Sequence, residues 1–451
     1  MKKLVFIAGH LGYPMDRTPL GGGAMVGVEL ARQWRAAGVE LAVLGSGPET
    51  PAPGVEYHAL AEPGQDGLVS LSEFGYAAFC RRFERETTRW LLNARARFDP
   101  SQTCVVVNDI SEGPALAELS RAGYPIVSIW HVDVVDYFNK LYLRRYLKPE
   151  RLTRLYEFCR SLGLSKAVPD VLRLVFEKQR ETVANSRRLV VPSQAMAETL
   201  RRCYGGLLGD AEELARRIVV VPWGGWDPRA DEAEVASGAE RLKAHYQIGP
   251  NTTTLMTLSR ISPEKGIHLL LEALRLLEVE GFTTGRDVCL FVCGEPAFMQ
   301  GAAYERVVRR AAAALKRVRV FFPGYLAAAE KQMHFRLARL FVSPSLHESY
   351  GLTVVEAMRA GLAVLASDHY GVQDLLHESF GRRVHYSSAR QAPPLLAAEL
   401  EELLAEPERL KEMGRLARLA GEAMPFQKAA QAVLETAFSL IPEKRQEVPA
   451  A

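Results

Sequence analysis

Two glutamates, Glu348 and Glu356, stand eight positions apart in the second half of the chain. Gly351 lies between them, and the apolar positions after it recur with the period of an α-helix, which predicts a helix that begins just beyond this glycine. The first backbone N–H groups of a helix have no partner inside the helix, and the helix dipole attracts anions to that end. The N–H groups of residues 351–353 could therefore bind a phosphate, with a carboxylate on each side to accept hydrogen bonds from hydroxyl groups.

The spacing of the two glutamates also occurs on many solvated helices, so the surrounding sequence has to decide. The apolar run 340–342 ahead of them predicts a short buried strand. Strand, loop and helix then follow in order, and in open α/β sheets ligands bind just beyond the carboxyl ends of the strands. A nucleotide sugar, with its sugar, diphosphate and ribose, has the matching order of groups.

Arg260 and Lys265 form a second candidate site directly after the predicted strand 254–258. Pro263 shapes the turn between the two cations, and Gly266 opens the next predicted helix. Two cations at the carboxyl end of a strand could stabilise the charge that grows on a diphosphate leaving group. The alternative is a pair of solvated surface cations, which is the usual environment of Arg and Lys.

Further candidates lie in the first half of the chain. The glycines at 21–23 form a predicted loop between the first strand and a helix predicted at 25–37, and glycine lets a backbone approach a ligand closely. They lack the G-x-G-x-x-G spacing, which argues against a dinucleotide fingerprint. His131 follows the predicted strand 126–129, and Asp109 follows the predicted strand 104–107, so both should lie at the carboxyl edge of a sheet. Either side chain could instead have a purely structural role.

Composition excludes several classes of protein. The chain has 451 residues, enough for two or three domains, with ordinary hydrophobic and charged fractions of 48% and 24%. A net charge of +3 gives no indication of nucleic-acid binding. The six cysteines show neither zinc nor disulfide spacing, which favours a reducing cytoplasm. No apolar run approaches the roughly 18 residues that a membrane-spanning helix needs.

Short apolar runs alternate with helical patterns along the whole chain, which predicts an α/β protein with parallel sheets covered on both faces. Two sets of strands fit two Rossmann-like domains. Pro and Gly cluster at 222–228, which predicts a linker there and domains at 1–222 and 223–425. The predicted strands are 4–8, 41–44, 104–107, 126–129, 189–191, 218–221, 254–258, 288–292, 318–322, 340–342 and 363–366.

These motifs resemble those of the retaining glycosyltransferases of family GT4, also called group 1, whose fold is named GT-B. The segment from Glu348 to Glu356 is similar to the family's E-x7-E motif, and the segment from Arg260 to Lys265 is similar to its R-x4-K-G motif. The resemblance covers nearly the whole chain. It implies two Rossmann-like domains that face each other across a cleft, with the last helix, about 426–441, packed back on the first domain.

The resemblance also implies a function, which is transfer of a hexosyl group from a nucleotide diphosphate sugar to a hydroxyl acceptor with retained anomeric configuration. The acceptor would be a sugar, a sugar phosphate or a lipid-linked compound. Arg260 and Lys265 would stabilise the leaving diphosphate. Glu348 would position the sugar, Glu356 the ribose and His131 the hydroxyls of the reacting sugar. The other donor-binding residues implied are Gly22, Gly23, Gly324, Tyr325, Tyr350, Gly351, Leu352 and Thr353.

No metal and no cofactor are expected beyond the nucleotide sugar donor. A suitably placed Asp-x-Asp motif is missing, since Asp133 and Asp136 have the wrong spacing. Two other functions stay open: a GT-B epimerase or phosphorylase, and a catalytically silent protein that binds sugar nucleotides. The nucleobase, the sugar and the acceptor are also left open.

Residues 131–190 carry twice the net positive charge of the whole chain. They contain 13 Lys and Arg against 7 Asp and Glu, a local net charge of +6. Leucine and aromatic side chains interleave with these cations, as in a surface that contacts anionic lipid or a lipid acceptor. The alternative is a set of amphipathic helices packed on the first domain with a solvated basic face. The expected location is therefore the cytoplasm, with peripheral contact to the inner face of the membrane as an open question.

Overall fold

The computed structural model describes most of the chain in two compact units. The first unit comprises Met1–Pro222 together with the chain from Ala429 onward, and the second comprises Trp223–Lys428. The described residues are 2–14, 21–63, 68, 71, 73–133, 135, 148–164, 170–207, 211–227, 230–296 and 301–442. Within the basic stretch 131–190, residues 134, 136–147 and 165–169 lie outside the described residues.

The first unit contains a seven-stranded parallel sheet with the strand order β3-β2-β1-β4-β5-β6-β7. The inner strands β4 and β5 are buried along their whole length, as expected for a sheet covered on both faces. The strands are β1 (Lys3–Ile7), β2 (Glu40–Gly45), β3 (Glu56–Ala59), β4 (Thr103–Val107), β5 (Ile126–Ile129), β6 (Arg188–Val191) and β7 (Ile218–Val220).

Helices cover this sheet, and the last of them comes from the end of the described chain. Trp34 packs edge-on against Phe6 of β1, with ring centroids 5.1 Å apart, and its indole N–H donates to the carbonyl of Ala430 at 2.9 Å. The helices are α1 (Gly22–Ala36), α2 (Glu73–Asn93), α3 (Leu116–Arg121), α4 (Pro149–Ser161), α5 (Asp170–Asn185), α6 (Gln194–Tyr204), α7 (Ala211–Arg217) and the last helix (Phe426–Phe438).

The second unit contains a six-stranded parallel sheet with the order β10-β9-β8-β11-β12-β13. Its strands are β8 (Thr253–Leu258), β9 (Val288–Cys293), β10 (Val318–Gly324), β11 (Leu340–Ser343), β12 (Ala363–Ser367) and β13 (Gly381–Val384). Its helices are α8 (Glu232–His245), α9 (Ile267–Val279), α10 (Gly301–Ala313), α11 (Ala328–Leu337), α12 (Leu352–Arg359), α13 (Tyr370–Gln373), α14 (Ala392–Ala405) and α15 (Pro407–Glu422), which makes Phe426–Phe438 helix α16. Among the helices described, none is both long and apolar enough to cross a membrane.

The predicted α/β class with two parallel sheets is confirmed, but two strands were not predicted. Both are edge strands, β3 in the first sheet and β13 in the second. Their sequences, Glu-Tyr-His-Ala and Gly-Arg-Arg-Val, carry polar side chains, and β3 is only half-buried. An edge strand pairs on one side only and tolerates charge, so a search for continuous apolar runs does not find it.

Candidate functional site

The strand order of the second sheet reverses between β8 and β11. Loops that leave the carboxyl ends of the strands diverge at such a switch point, and the crevice between them is the usual ligand site of open α/β sheets. Arg260 and Lys265 follow β8, and Glu348 follows β11. The predicted cations and the first predicted glutamate therefore meet at the switch point of this sheet.

Hydrogen bonds and an ion pair join these two loops. The N–H of Leu346 donates to the carbonyl of Glu264 at 2.7 Å, which fixes the backbones beside each other. The ammonium of Lys265, almost completely buried, forms an ion pair with Glu348. The hydroxyl of Ser345 lies 3.4 Å from the same carboxylate. A rigid arrangement thus presents a lysine and a carboxylate side by side.

The charges around Glu348 keep it ionised. Burial alone would raise the pKa of this carboxyl, but Lys265, His369 and Arg260 together lower it below its usual value. Arg260 lies 3.7 Å from Glu264, which is buried and also accepts from the hydroxyl of a neighbouring serine. Lys265, Arg260 and His369 therefore act on the Glu348 carboxylate, and the Arg260–Glu264 pair adds a second carboxylate to this charged cluster.

Helix α12 begins at Leu352, four residues after Glu348, and its N-terminus is open. Gly351 has a φ of 90°, a left-handed conformation that favours glycine, and no side chain caps the helix. The N–H groups of Val354 and Val355 donate to the Gly351 carbonyl at 3.0 and 3.2 Å. The N–H groups of Gly351, Leu352 and Thr353 thus precede the hydrogen-bond ladder of the helix and remain available for an anion.

Glu356 lies on the second turn of α12, and it has a partner that sequence patterns did not indicate. The ammonium of Lys331, on α11, lies 2.5 Å from its carboxylate. Both side chains are about one-fifth exposed, so the pair is accessible from one side. Lys331 precedes Glu356 by 25 positions and belongs to a different helix, so no local spacing could have identified it.

Tyr350 is buried and has a structural contact. Its hydroxyl accepts a hydrogen bond from the N–H of Gly224 at 2.7 Å, and burial raises its pKa to about 12. The side chain therefore holds the segment that follows the linker and offers almost no surface to a ligand. Gly324 is the last residue of the edge strand β10, and its carbonyl accepts a hydrogen bond from the N–H of Gly294 at 2.8 Å. Tyr325 directly follows this strand.

His369 was missed by the sequence reasoning, although it lies close to the predicted residues. It follows β12, is buried, and its charge helps to lower the pKa of Glu348. Its Cε1 atom would lie 3.7 Å from a Cβ at Gly351. The N–H of Gly371 donates to the Glu348 carbonyl at 3.1 Å, which holds the two loops together. The sequence feature that could have indicated His369 is its position just after the predicted strand 363–366.

The first sheet has its own switch point, between β1 and β4, and polar residues cluster there. His10 follows β1, and Asp109 and Glu112 follow β4. His10 Nε2 lies 3.2 Å from Glu112 Oε1, and Tyr76 donates its hydroxyl proton to the same oxygen. One ligand atom from each of His10, Asp109 and Glu112 lies within 4.8 Å of the others, the one such metal-capable group in the ranges described.

Burial gives Asp109 an unusual protonation behaviour. It raises the pKa of this carboxyl to about 6, an effect that Glu112 adds to and that His10 and Asn108 oppose. Asp109 therefore changes its charge close to neutral pH. Glu112 was not among the predicted residues; it lies three positions after Asp109 in the same loop.

His131 is placed by Asn108 and by the start of α1. Its Nε2 lies 3.0 Å from Asn108 Oδ1, and Asn108 Nδ2 donates to the carbonyl of Gly23 at 3.1 Å. With the amide in this orientation, Nε2 carries the ring proton and donates it to the hydrogen bond with Asn108, so Nδ1 is the hydrogen-bond acceptor of the ring. Burial, with a smaller effect from His10, lowers the pKa of His131 to about 3. His131 is therefore neutral at physiological pH and can act through hydrogen bonds.

The glycines at 21–23 do not form the loop that the sequence predicted. Helix α1 begins at Gly22, three residues before the predicted start, with Gly21 as an extended N-cap. Gly22 and Gly23 thus form its first turn. A Cβ at Gly23 would lie 2.9 Å from Cδ2 of His131, so glycine allows the helix to approach this ring. Glycine is a poor helix former, but it is tolerated in the first turn because few of the hydrogen bonds within the helix involve the N–H groups of that turn.

Comparison with known proteins agrees with this architecture. Residues 21–224 match the family model described as a glycosyl transferase 4-like domain, and residues 239–420 match the model of glycosyl transferases group 1. The chain is 27% identical over 280 residues to the D-inositol 3-phosphate glycosyltransferase of Gordonia bronchialis, a match that covers 61% of this chain and 57% of that protein. It spans about half the length of the curated relatives that it matches.

Solved structures share the fold along nearly the whole chain. Sucrose-phosphate synthase from Thermosynechococcus elongatus has a TM-score of 0.69 at 16% identity, covering 98% of this chain and 99% of that one. HepE from Anabaena, solved in complex with UDP-glucose, has a TM-score of 0.64 at 17% identity, covering 98% and 100%. The first half of the chain matches one glycosyltransferase family model, and the second half matches the other. The chain therefore belongs to the group 1 glycosyltransferases, family GT4, and has the GT-B fold.

Proposed function

We propose that this protein transfers a hexosyl group from a nucleotide diphosphate sugar to a hydroxyl acceptor with retention of anomeric configuration. The observation that carries the proposal is the convergence at one switch point of the Lys265–Glu348 pair, Arg260 and the open N-terminus of α12. This combination of fixed cations, free N–H groups and an ionised carboxylate suits a diphosphate that is attached to a sugar.

The donor is proposed to bind the second unit at the carboxyl ends of β8 and β11. The diphosphate would contact Arg260, Lys265 and the N–H groups at the start of α12. The sugar would lie at Glu348, which is ionised and partly exposed. Glu356 lies one turn beyond the start of α12. Its carboxylate would accept hydrogen bonds from the ribose hydroxyls, and Lys331 would hold it in place.

In the proposed reaction the bond between the anomeric carbon and the diphosphate oxygen breaks, and the electron pair remains with the diphosphate. The acceptor oxygen forms a bond to the anomeric carbon on the same face, and its hydroxyl proton passes to the departing diphosphate. Arg260 and Lys265 would stabilise the charge that develops there, because preorganised cations in a partly buried site act strongly on a transition state. With the helix N-terminus they supply the positive potential for which other enzymes use a divalent cation. We therefore propose a reaction that needs no metal.

The acceptor is proposed to bind the first unit at the carboxyl edge of its sheet. Neutral His131, oriented by Asn108, can donate and accept hydrogen bonds and is proposed to contact sugar hydroxyls. Asp109 and Glu112 offer further acceptors for hydroxyl groups beside it. The relative from Gordonia bronchialis is named for an inositol 3-phosphate acceptor, which makes a polyhydroxyl compound a reasonable first candidate.

A thermal-shift screen with UDP, GDP and ADP, and then with their sugars, tests the donor. UDP-glucose comes first because HepE was solved with it. A shift with one nucleoside diphosphate, absent in the Lys265→Ala variant, is the expected result. Product analysis by NMR then gives the anomeric configuration, and assays with and without inorganic phosphate separate a transferase from a phosphorylase. A lack of any response to all nucleotides would refute the proposed donor site.

A further inference from the structure

The described part of the first unit has a concentrated group of exposed apolar side chains. Eight large hydrophobic side chains are exposed in the described residues, and four of them lie within ten positions. They are Leu155 and Phe158 on helix α4, exposed by 56% and 61%, and Leu162 and Leu164 directly after the helix. We call these four residues the apolar patch. Scattered exposed leucines need no explanation, but a cluster of this kind does.

The apolar patch follows one face of α4. Leu155 and Phe158 are three positions apart and are therefore neighbours on the surface of the helix, and Leu162 is the C-cap residue just beyond its last turn. The opposite face is anchored, since Tyr156 is buried and stacks on Phe176 of α5 with ring centroids 4.5 Å apart at an angle of 8°. A surface helix normally turns its apolar face to the core. Helix α4 is held by one face and presents a second apolar face outward.

Basic side chains surround the patch on its exposed side. In 148–164 the exposed charged side chains are all cations: Lys148, Arg151, Arg154 and Arg160. The two acidic residues of this stretch are less exposed, and Glu157 is paired with Arg160 and Arg180 at 3.0 and 3.2 Å. The outward surface therefore combines apolar side chains with an excess of positive charge.

We propose that α4 and the apolar patch bind the surface of an anionic lipid bilayer. Leu155, Phe158 and Leu162 would enter the boundary between headgroups and acyl chains, with Arg151 and Arg154 at the lipid phosphates. This is the composition of helices that lie in the plane of a membrane interface. A second copy of the same basic face would instead repel the first, which argues against a symmetric dimer through this surface.

This binding is independent of the proposed transferase reaction, because none of its residues belongs to the sites at the two switch points. It also needs no spanning helix, since α4 would lie on the membrane. Its consequence for function is that the protein would act where anionic lipid and lipid-linked hydroxyl acceptors occur.

Flotation of the full chain with vesicles tests the proposal. Vesicles of phosphatidylglycerol and phosphatidylcholine should carry the protein upward, and vesicles of phosphatidylcholine alone should not. The double variant Leu155→Gln/Phe158→Gln keeps good helix formers at both positions and should lose flotation. Arg151→Gln/Arg154→Gln should weaken binding about 30-fold, at about 1 kcal/mol for each cation near the surface.

The matched control is Leu395→Gln/Leu419→Gln, which removes two exposed leucines, 41% and 53% exposed, from the second unit and should float like the wild type. Unfolding temperatures of all variants should agree, which shows that the folds are intact. Failure of the wild type to bind anionic vesicles would overturn the proposal. So would equal flotation of the patch variant, or a concentration-dependent dimer that Phe158→Gln abolishes while vesicles are not bound.

Discussion

Replacing Glu348 with glutamine should strengthen the binding of a nucleoside diphosphate while it lowers turnover. Lys265 is almost completely buried and has Glu348 as its ion-pair partner. A diphosphate that binds Lys265 must compete with this carboxylate and is also repelled by it. Glutamine has the same size and removes the charge. The motif alone, which assigns Glu348 to the sugar, predicts that the affinity for the free nucleoside diphosphate hardly changes.

The magnitude follows from the environment of the pair. A hydrogen bond between charged groups contributes about 1.5–3 kcal/mol when it is protected, and an exposed ion pair about 0.2–1 kcal/mol. The side chains of Lys265 and Glu348 are 10% and 22% exposed, which is between these cases. Removal of the competing carboxylate should then make the binding free energy of the nucleoside diphosphate more favourable by about 1–2 kcal/mol, which lowers its Kd about 5- to 30-fold. Turnover should fall about 10²-fold, because the sugar loses its carboxylate partner.

Titration calorimetry with the nucleoside diphosphate that binds best measures the affinity, and a steady-state assay measures turnover. The control is Glu272→Gln, which breaks a surface pair with Arg275 on α9 and should leave both quantities unchanged. An affinity of Glu348→Gln that is equal to or weaker than that of the wild type would refute the reasoning. It would mean that Lys265 does not bind the diphosphate, or that Glu348 does not compete for it.

Four further predictions follow from the two sites. Arg260→Ala and Lys265→Ala should each lower turnover by about 10²-fold or more in steady-state assays, since each removes a cation from the leaving group. Glu356→Gln should weaken the nucleoside diphosphate about 10- to 150-fold in calorimetry, the scale of a charge-assisted bond to a ribose hydroxyl. Activity should persist in excess EDTA, because fixed cations and a helix N-terminus supply the positive potential. Because the pKa of Asp109 is raised to about 6 by burial, the folded state keeps a proton that the unfolded chain loses near pH 4. The free energy of unfolding should therefore fall as pH rises from about 4 to 6, and Asp109→Asn should remove that part of the fall.

Each of these has an outcome that contradicts it. Near-native turnover in either cation variant would remove that residue from the leaving-group site, and unchanged nucleotide affinity in Glu356→Gln would remove the ribose contact. Loss of activity in EDTA that manganese or magnesium restores would require a metal in the mechanism. An identical stability profile between pH 4 and 6 in Asp109→Asn, measured by urea unfolding, would show that this carboxyl titrates normally.

The central strands of both sheets could be predicted because burial on two faces imposes continuous apolar runs. Strands such as Val288–Cys293 consist of buried residues only, whereas the edge strand Gly381–Val384 contains two arginines and resembles a loop in sequence. The start of α1 was placed too late for a related reason. Glycine is typical of loops, and the packing of Gly23 beside His131 is what makes it suitable for a helix.

The site was predictable where one segment carries both the residues and the element that positions them. Glu348, Gly351 and the start of α12 lie together in sequence, so spacing and helix pattern indicate a phosphate site directly. The side chains that other segments contribute to the site could not be predicted from local spacing. Lys331 reaches Glu356 from another helix, and His369 comes from the next strand, so only the packed structure brings them in.

The return of the last helix to the first unit has a consequence for the order in which the chain can fold during synthesis. The first unit needs residues from Ala429 onward, since Trp34 donates to the Ala430 carbonyl at 2.9 Å and Lys2 donates to the Phe438 carbonyl at 2.7 Å. The second unit is one continuous stretch of chain. It therefore has all of its residues before the first unit does. Domains commonly fold in the order in which the ribosome makes them, but here the half that is translated first must wait for the last helix to emerge before its contacts are complete.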